Sequence, residues 1–233
     1  MPGKNKLQKF ADNEVFPNVI QPTFEELFRT DHSSKGKWAT KLFGNSKPVC
    51  LELGCGRGEY TVALGGLYAH TNFIGIDVKG ARIWQGAKRA LDQGLPNVAF
   101  IRTRIDFICS LFSSDEVDEI WITFPDPQPN KSKKRLTSTK FMGMYQQFVK
   151  DSGLVHLKTD NQMLYRYTYE MARQNGLCIL KHTNHLYESE LLDETLSVKT
   201  YYEKKFLEVG KAITYLCFQL PKNKQLVEPE MYE

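Results

Sequence analysis

Pro48-Val-Cys-Leu-Glu-Leu-Gly-Cys-Gly-Arg-Gly58 is the stretch on which the fold turns. The apolar run Val49–Leu53 ends in three closely spaced glycines, and a helical pattern starts near Gly58. Glycines at such a point let the backbone turn tightly and approach a ligand closely. Further strand-like runs follow at Asn72–Asp77, Asn97–Arg102, Glu119–Phe124 and Gly153–Thr159, with helical patterns between them. One such pattern places Trp84, Ala87 and Leu91 on one face, and another spaces Phe141, Met144, Tyr145, Phe148 and Val149 as an amphipathic stripe. Continuous apolar strands between helices suit a parallel sheet covered on both faces. The longer runs Gly176–Thr183 and Ala212–Leu220 suit antiparallel pairing at one edge. The expected fold is α/β: a doubly wound, mostly parallel, seven-stranded Rossmann-like sheet with an antiparallel edge strand and an N-terminal arm. Residues 1–45 are expected to be a basic flexible tail (Lys4, Lys6, Lys9) and an arm with a short helix around Glu25 to Arg29, and residues 46–233 the main domain.

A chain of 233 residues can bury the core of one large α/β domain. Its 41% hydrophobic and 12% aromatic content argues against disorder. The net charge of +4 says less than its distribution. Cations gather in the tail and at 131–135, whereas acids crowd between Glu188 and Glu194, the asymmetry a basic binding face leaves. No apolar run approaches the roughly 20 residues that span a bilayer, and the N-terminus lacks an apolar signal core. A soluble, cytoplasmic protein is expected. The five cysteines form no C-x-x-C pair and are read as small buried hydrophobes. His182 and His185 lie three positions apart without an apparent third ligand, so no metal is expected.

The glycine cluster reads G-x-G-x-G and is preceded by Glu52. A dinucleotide fingerprint, G-x-G-x-x-G, is not matched, because position 59 is Glu and the third glycine comes one residue early. The pattern is that of a methyl-donor site more than a nicotinamide site. Gly54, Gly56 and Gly58 would approach the ligand. Asp77, closing the second strand about 20 residues on, is suited to accept hydrogen bonds from ribose hydroxyls. Each acid also has a structural alternative: Asp77 as a helix cap, Glu52 paired to Arg57, and Asp106 as a cap after the third strand.

The second informative stretch is Ile122-Thr-Phe-Pro-Asp-Pro-Gln-Pro-Asn-Lys-Ser-Lys-Lys-Arg-Leu136. Pro125 and Pro127 cannot donate to a ladder, so the strand ends there and Asp126 is fixed at its tip. Lys131, Lys133, Lys134 and Arg135 follow. A rigid carboxylate beside a cation cluster suits a site that handles a polyanion and does chemistry on it, which points to nucleic acid. Such a cation track makes binding salt-dependent.

Together these residues resemble the bacterial tRNA (guanine-N7-)-methyltransferase family, class I enzymes that use S-adenosylmethionine. The resemblance rests on Glu52–Gly58, Gly75-Ile-Asp77, the Pro125-Asp-Pro turn with its basic run, Lys158-Thr-Asp160 and Thr200-Tyr-Tyr-Glu-Lys-Lys-Phe206. It implies a methyl donor among Glu52, Gly54, Gly56, Gly58, Asp77, Asp106 and Asp126, with Asp126 also catalytic and S-adenosylhomocysteine as product. It further implies tRNA contacts by Asn130, Lys131, Lys133, Lys134, Arg135, Asp160, Thr200, Tyr201, Tyr202 and Glu203, in a monomer or homodimer. The family usually has Trp after the second proline of the turn and Lys two residues later; this chain has Gln128 and Asn130. Thr200 and Glu203 also form a capping-box signature, and Asp160 is also placed to cap a helix. The rival readings are a methyltransferase of the same fold acting on another RNA, a small molecule or a protein, and a non-catalytic RNA-binding module. A small neutral substrate needs no cation track, and every acid and glycine of the donor site is present.

Overall fold

The computed structural model describes residues 5–230, and the chain separates into two units, one through Ser113 and one from Ser114. Lys4 of the expected tail lies outside the described residues. The first unit contains α1 (Lys6–Val15), β1 (Val19–Ile20), α2 (Phe24–Leu27), β2 (Val49–Leu53), α3 (Glu59–Leu67), β3 (Asn72–Asp77), α4 (Gly80–Asp92), β4 (Val98–Arg102) and α5 (Ile108–Leu111). Its strands run in the order β1-β4-β3-β2, all parallel. The register sets Leu51 against Ile74 and Ile74 against Ala99. These positions are buried, as continuous apolar strands require.

The arm is built differently from what its polar sequence suggests. Lys6–Val15, expected in the tail, is a helix that opens with a capping box between Asn5 and Gln8. It is fastened to α4 by polar groups: Trp84 Nε1 donates to Asp12 at 2.6 Å, and Asn13 Nδ2 to the Gly80 carbonyl at 2.9 Å. Asn18 Nδ2 donates to the Ala87 carbonyl at 3.1 Å, and the Arg102 guanidinium lies 4.7 Å from the Phe10 ring centre. β1 then adds itself to β4, Val19 opposite Phe100. With it the described residues hold eight strands, where seven were expected. Two residues are too few to leave a periodic signal, so it could not be read in advance. The buried face of α4 is Ile83, Gly86, Ala87 and Ala90, about one position off the expected stripe. Leu91 faces outward, and Trp84 turns toward the arm.

The second unit contains β5 (Val117–Thr123), α6 (Thr139–Tyr145), β6 (Val149–Thr159), α7 (Gln162–Gln174), β7 (Ile179–Thr183), α8 (Glu194–Ser197), α9 (Tyr201–Glu208) and β8 (Thr214–Leu220). The order is β5-β6-β8-β7; β5 and β6 are parallel, whereas β8 is antiparallel to both β6 and β7. The expected antiparallel pairing of the last two long runs is thus present. The stripe from Phe141 to Val149 proves to be two elements. The helix stops at Tyr145, Phe148 lies in the turn, and Val149 opens β6. Its period persists because helix and strand end bury into one core, where Phe141, Tyr145, Phe148 and Val149 are all inaccessible. Of the cysteines, Cys50, Cys55 and Cys217 are buried and Cys109 is half-buried, but Cys178 is exposed. Among the described residues, no helix is long and apolar enough to cross a membrane.

Candidate functional site

In the first unit the glycine turn is held open by backbone geometry. Gly54, Gly56 and Gly58 all have φ between 56° and 74°, the left-handed region that side chains disfavour. The turn is tied to β3: the amides of Gly54 and Cys55 both donate to the Ile76 carbonyl, at 2.8 and 3.1 Å. Asp77 completes the tie. One carboxylate oxygen accepts from the Gly56 amide at 3.0 Å, the other from the Lys79 amide at 2.7 Å. Asp77 therefore braces the glycine turn and the segment leading into α4, but it is not the helix cap expected as its alternative: the N-cap is Lys79, with no side-chain cap bond. A methyl group on Gly56 would meet nothing nearer than the Gly54 carbonyl at 4.0 Å, so that face of the turn is open.

Gly58 also serves packing. A methyl there would sit 2.5 Å from Phe100, and methyls on Gly75 or Gly86 would also lie within 3 Å of the same ring. Three glycines from the turn, β3 and α4 thus enclose one aromatic side chain. Gly75 stood in the Gly75-Ile-Asp77 motif without a packing role assigned to it, and Gly86 was not singled out by sequence, since that role exists only around Phe100. Glu52 is buried, and its Oε2 accepts from the Thr61 amide at 2.8 Å and from the Thr61 hydroxyl. Gly58, as the N-cap of α3, has no side chain to satisfy that first turn, and the Glu52 carboxylate does so. Asp106 stands in a short 3-10 turn, Ile105–Phe107, with Arg104 3.3 Å from its carboxylate. Burial and the carboxylates of Glu52 and Asp77 raise the Cys55 thiol well above its usual range, which leaves it an inert filler within the turn.

In the second unit the Pro125-Asp-Pro127 turn is bracketed by two left-handed residues, Phe124 (φ 48°) and Gln128 (φ 46°). Such conformations cost about 1–3 kcal/mol each and persist only when their surroundings hold them. Asp126 is exposed, and its Oδ1 accepts from the Gln128 amide at 3.1 Å. The restraint comes from Arg135, which was expected on the tRNA-facing track. Arg135 is buried, donates to the carbonyls of Pro127 (3.2 Å) and Pro129 (3.0 Å), and stacks 4.3 Å from the Tyr167 ring centre. Tyr167 in turn donates to Glu228 at 2.7 Å, and Thr139 donates to the other oxygen of Glu228 at 2.6 Å. The planar guanidinium is thus the staple of the turn. Asn130, Lys131, Lys133 and Lys134 are exposed.

The end of β6 supplies the other candidate residues. Asp160 is not the helix cap; Asn161 is, accepting from the Leu164 amide at 2.8 Å. Asp160 instead faces Lys211 at 2.7 Å. Thr200 and Glu203 do form the capping box of α9, the structural role their spacing also allowed, and both are buried. Glu203 is also the counter-ion of Lys158, with 2.8 Å between Nζ and Oε1 and neither side chain accessible. Burial lowers the Lys158 pKa, and Glu203 opposes that shift. Tyr202 is exposed and Tyr201 half-buried, their rings 5.5 Å apart and nearly perpendicular. On β6, His156 is stacked on Trp121 with centroids 3.9 Å apart, and its Nε2 lies 2.9 Å from Glu119. Burial opposes the charge on this imidazole, but hydrogen bonds with Cys217 and Glu119 outweigh it and push the pKa to about 9. Among the described residues, no group of three His, Cys, Asp or Glu side chains is arranged to hold a metal.

A family model described as "Putative methyltransferase" matches residues 46–216. A tRNA (guanine-N(7)-)-methyltransferase from Bacteroides fragilis (strain YCH46) is 48% identical over 98% of this chain and 91% of its own length. The chain belongs to the tRNA (guanine-N(7)-)-methyltransferase family. Another member, from Christiangramia forsetii, is 49% identical over 94% of this chain and its own full length. Among solved structures, the 16S rRNA methyltransferase KamB has a TM-score of 0.58 at 12% identity, covering 75% of this chain and 88% of its own. The 16S rRNA (adenine(1408)-N(1))-methyltransferase of Catenulisporales acidiphilia, solved as a mutant with cosubstrate SAM, has a TM-score of 0.55 at 12% identity, covering 82% and 93%. At such identities the likeness is one of fold alone.

For a member of this methyltransferase family, the sequence motifs divide into two kinds. The glycine turn, Asp77, Asp126 and the exposed lysines present groups outward or toward the open face of a turn, and Asp160 is largely covered and paired with Lys211. Glu52, Arg135, Lys158, Thr200 and Glu203 face inward and hold those groups in place. The sequence marked both kinds alike, because motif spacing does not distinguish a group that touches a ligand from one that fixes its neighbour.

Proposed function

We propose that this protein transfers a methyl group from S-adenosylmethionine to N7 of a guanine in tRNA, the variable-loop guanine by resemblance, forming 7-methylguanosine. The observation that carries this reading is Asp126, an exposed carboxylate on a doubly strained turn, followed at once by the exposed cations Lys131, Lys133 and Lys134. The names of the family relatives, which cover nearly the whole chain, supply the nucleoside and the atom. A tRNA substrate also places the enzyme in the cytoplasm.

The residues present fit the methyl donor. A turn with three left-handed glycines and open space over Gly56 leaves room for a ligand against the backbone. Asp77, fixed by two backbone amides, keeps lone pairs for ribose hydroxyls. Gly54, Gly56, Gly58, Asp77 and Asp106 would hold the donor. When bound, S-adenosylmethionine supplies an electrophilic methyl on a sulfonium and leaves as S-adenosylhomocysteine. Guanine N7 offers an in-plane lone pair and has no proton to lose, so the chain needs no general base. What it must supply is alignment and a home for the positive charge the purine acquires. Holding reactants in line is worth up to roughly 7–11 kcal/mol. Carboxylates fixed before the reaction, Asp126 and Asp160, favour the cationic ring or accept from the guanine N1–H and amino group. Lys131, Lys133 and Lys134 track the phosphates.

The test is incubation with unmodified bulk tRNA and S-adenosylmethionine, then mass spectrometry of the nucleosides. A 7-methylguanosine peak is expected, lost with Asp126→Ala. No methylated guanosine despite measurable donor binding would overturn the reading. Asp126→Asn is expected to lower single-turnover rate more than donor affinity.

A further inference from the structure

The first two turns of α7 and the end of β7 line an open cavity of about 450 Å³. Its walls include Gln162, Tyr165, Arg166, Tyr169, His182 and Asn184. Three of these are rings in series. Tyr165 and Tyr169 lie 6.3 Å apart at 29°, and Tyr169 and His182 lie 5.0 Å apart at 53°. Tyr165 Oη is 3.3 Å from His182 Nδ1, which fixes the two edges against each other. Arg166 is exposed, and no carboxylate lines the cavity. Amide groups from Gln162 and Asn184 stand at its rim.

We infer that this cavity is a stacking subsite for one unpaired nucleotide of the RNA substrate, separate from the reacting guanine. The volume is within the range of small-molecule sites. Half-exposed rings offer faces on which any base can stack, Arg166 is placed for a flanking phosphate, and Gln162 and Asn184 carry donors and acceptors for a base edge. Sequence position links it to the reaction: Gln162 follows Asp160 by two residues, and Tyr165, Arg166 and Tyr169 continue at helical spacing along one side of α7. A strand of RNA that presents its guanine near Asp160 therefore has a neighbouring nucleotide within reach of the rings. The inference rests on the proposed RNA substrate and adds a second point of grip, which selects for RNA whose bases are unstacked beside the target.

The experiment compares wild type, Tyr165→Ala/Tyr169→Ala and Tyr165→Phe/Tyr169→Phe, all full chain, in binding to unmodified tRNA and to a single-stranded oligonucleotide containing 2-aminopurine. Loss of base stacking is expected to weaken RNA binding about 5- to 100-fold in the Ala variant, with the salt slope unchanged. The Phe variant keeps the rings and is expected to bind as wild type does. Arg166→Ala is expected to reduce the salt slope by about one ion. Quenching of 2-aminopurine by wild type and not by the Ala variant locates the stack. Equal affinities and equal quenching in the Ala and wild-type proteins overturn the inference, even if wild type forms 7-methylguanosine. Wild type that binds RNA through these rings yet methylates no guanosine would sink the proposed reaction and leave the subsite standing. Should the Ala variant fail to fold by circular dichroism, His182→Ala, at an exposed residue, replaces it with the same expectations.

Discussion

Replacing Glu203 by Gln removes the counter-charge of a lysine that has no access to water. In the wild type, the Lys158 ammonium has three acceptors: Glu203 Oε1 and the carbonyls of Leu196 (2.7 Å) and Val198 (2.9 Å). The Glu203 carboxylate also accepts from the Tyr187 hydroxyl at 2.8 Å and, through Oε2, from the Thr200 amide at 3.3 Å. Breaking one partner of a buried pair costs about 3–5 kcal/mol. An upper bound follows independently. The stranded lysine can give up its proton, and at pH 7 neutralising a group with an unfolded pKa of about 10.4 costs about 5 kcal/mol. That bound falls to about 2 kcal/mol at pH 9, so the variant should recover stability, relative to wild type, as pH rises. The sign is consistent with linkage: where the unfolded chain binds the extra proton, stability increases with pH. Urea unfolding of Glu203→Gln at pH 7 and pH 9, followed by circular dichroism, measures both numbers. Lys158→Met/Glu203→Leu should regain most of the loss, since apolar replacement of a buried pair is often neutral. A Glu203→Gln protein within about 1 kcal/mol of wild type at pH 7, but with a raised KM for tRNA, would refute the structural role and return Glu203 to the substrate.

Other expectations follow from the same geometry. The His156 pKa, raised to about 9, contributes stability that is complete below pH 6.5 and lost as pH rises through about 9; urea midpoints of wild type should fall over that window, and those of His156→Gln should stay flat. Gly58→Ala combines a left-handed backbone with a methyl 2.5 Å from Phe100, and should lower stability by about 2–4 kcal/mol in a denaturant titration. Gly56→Ala meets open space, so it should cost only about 1 kcal/mol in stability while weakening S-adenosylmethionine binding in calorimetry. Lys133→Ala/Lys134→Ala should flatten the salt dependence of tRNA binding at unchanged stability, whereas Arg135→Ala should lower the melting temperature, because it holds the Pro127 and Pro129 carbonyls.

The sequence by itself determined the alternation of strands and helices, the glycine turn, the strand tip at Asp126 and the antiparallel pairing of β7 with β8. Each of these depends on local chemistry: apolar period, glycine freedom, proline's missing donor. Only the tertiary structure decided which polar residues of the motifs face inward. Arg135 stands in an unbroken run of cations, yet it alone of Lys131, Lys133, Lys134 and Arg135 is buried, because the carbonyls of a strained turn and the Tyr167 ring lie within its reach. Glu203 and Lys158 are 45 residues apart in sequence and meet in the core of the second unit. The short helix of the arm was legible near Glu25, but the attachment of Lys6–Val15 to α4 gave no signal, since polar side chains bonded to α4 look in sequence like solvent-facing ones. A hydrogen bond or ion pair between distant residues leaves no period in the chain, and its partner is chosen only when the backbone has folded.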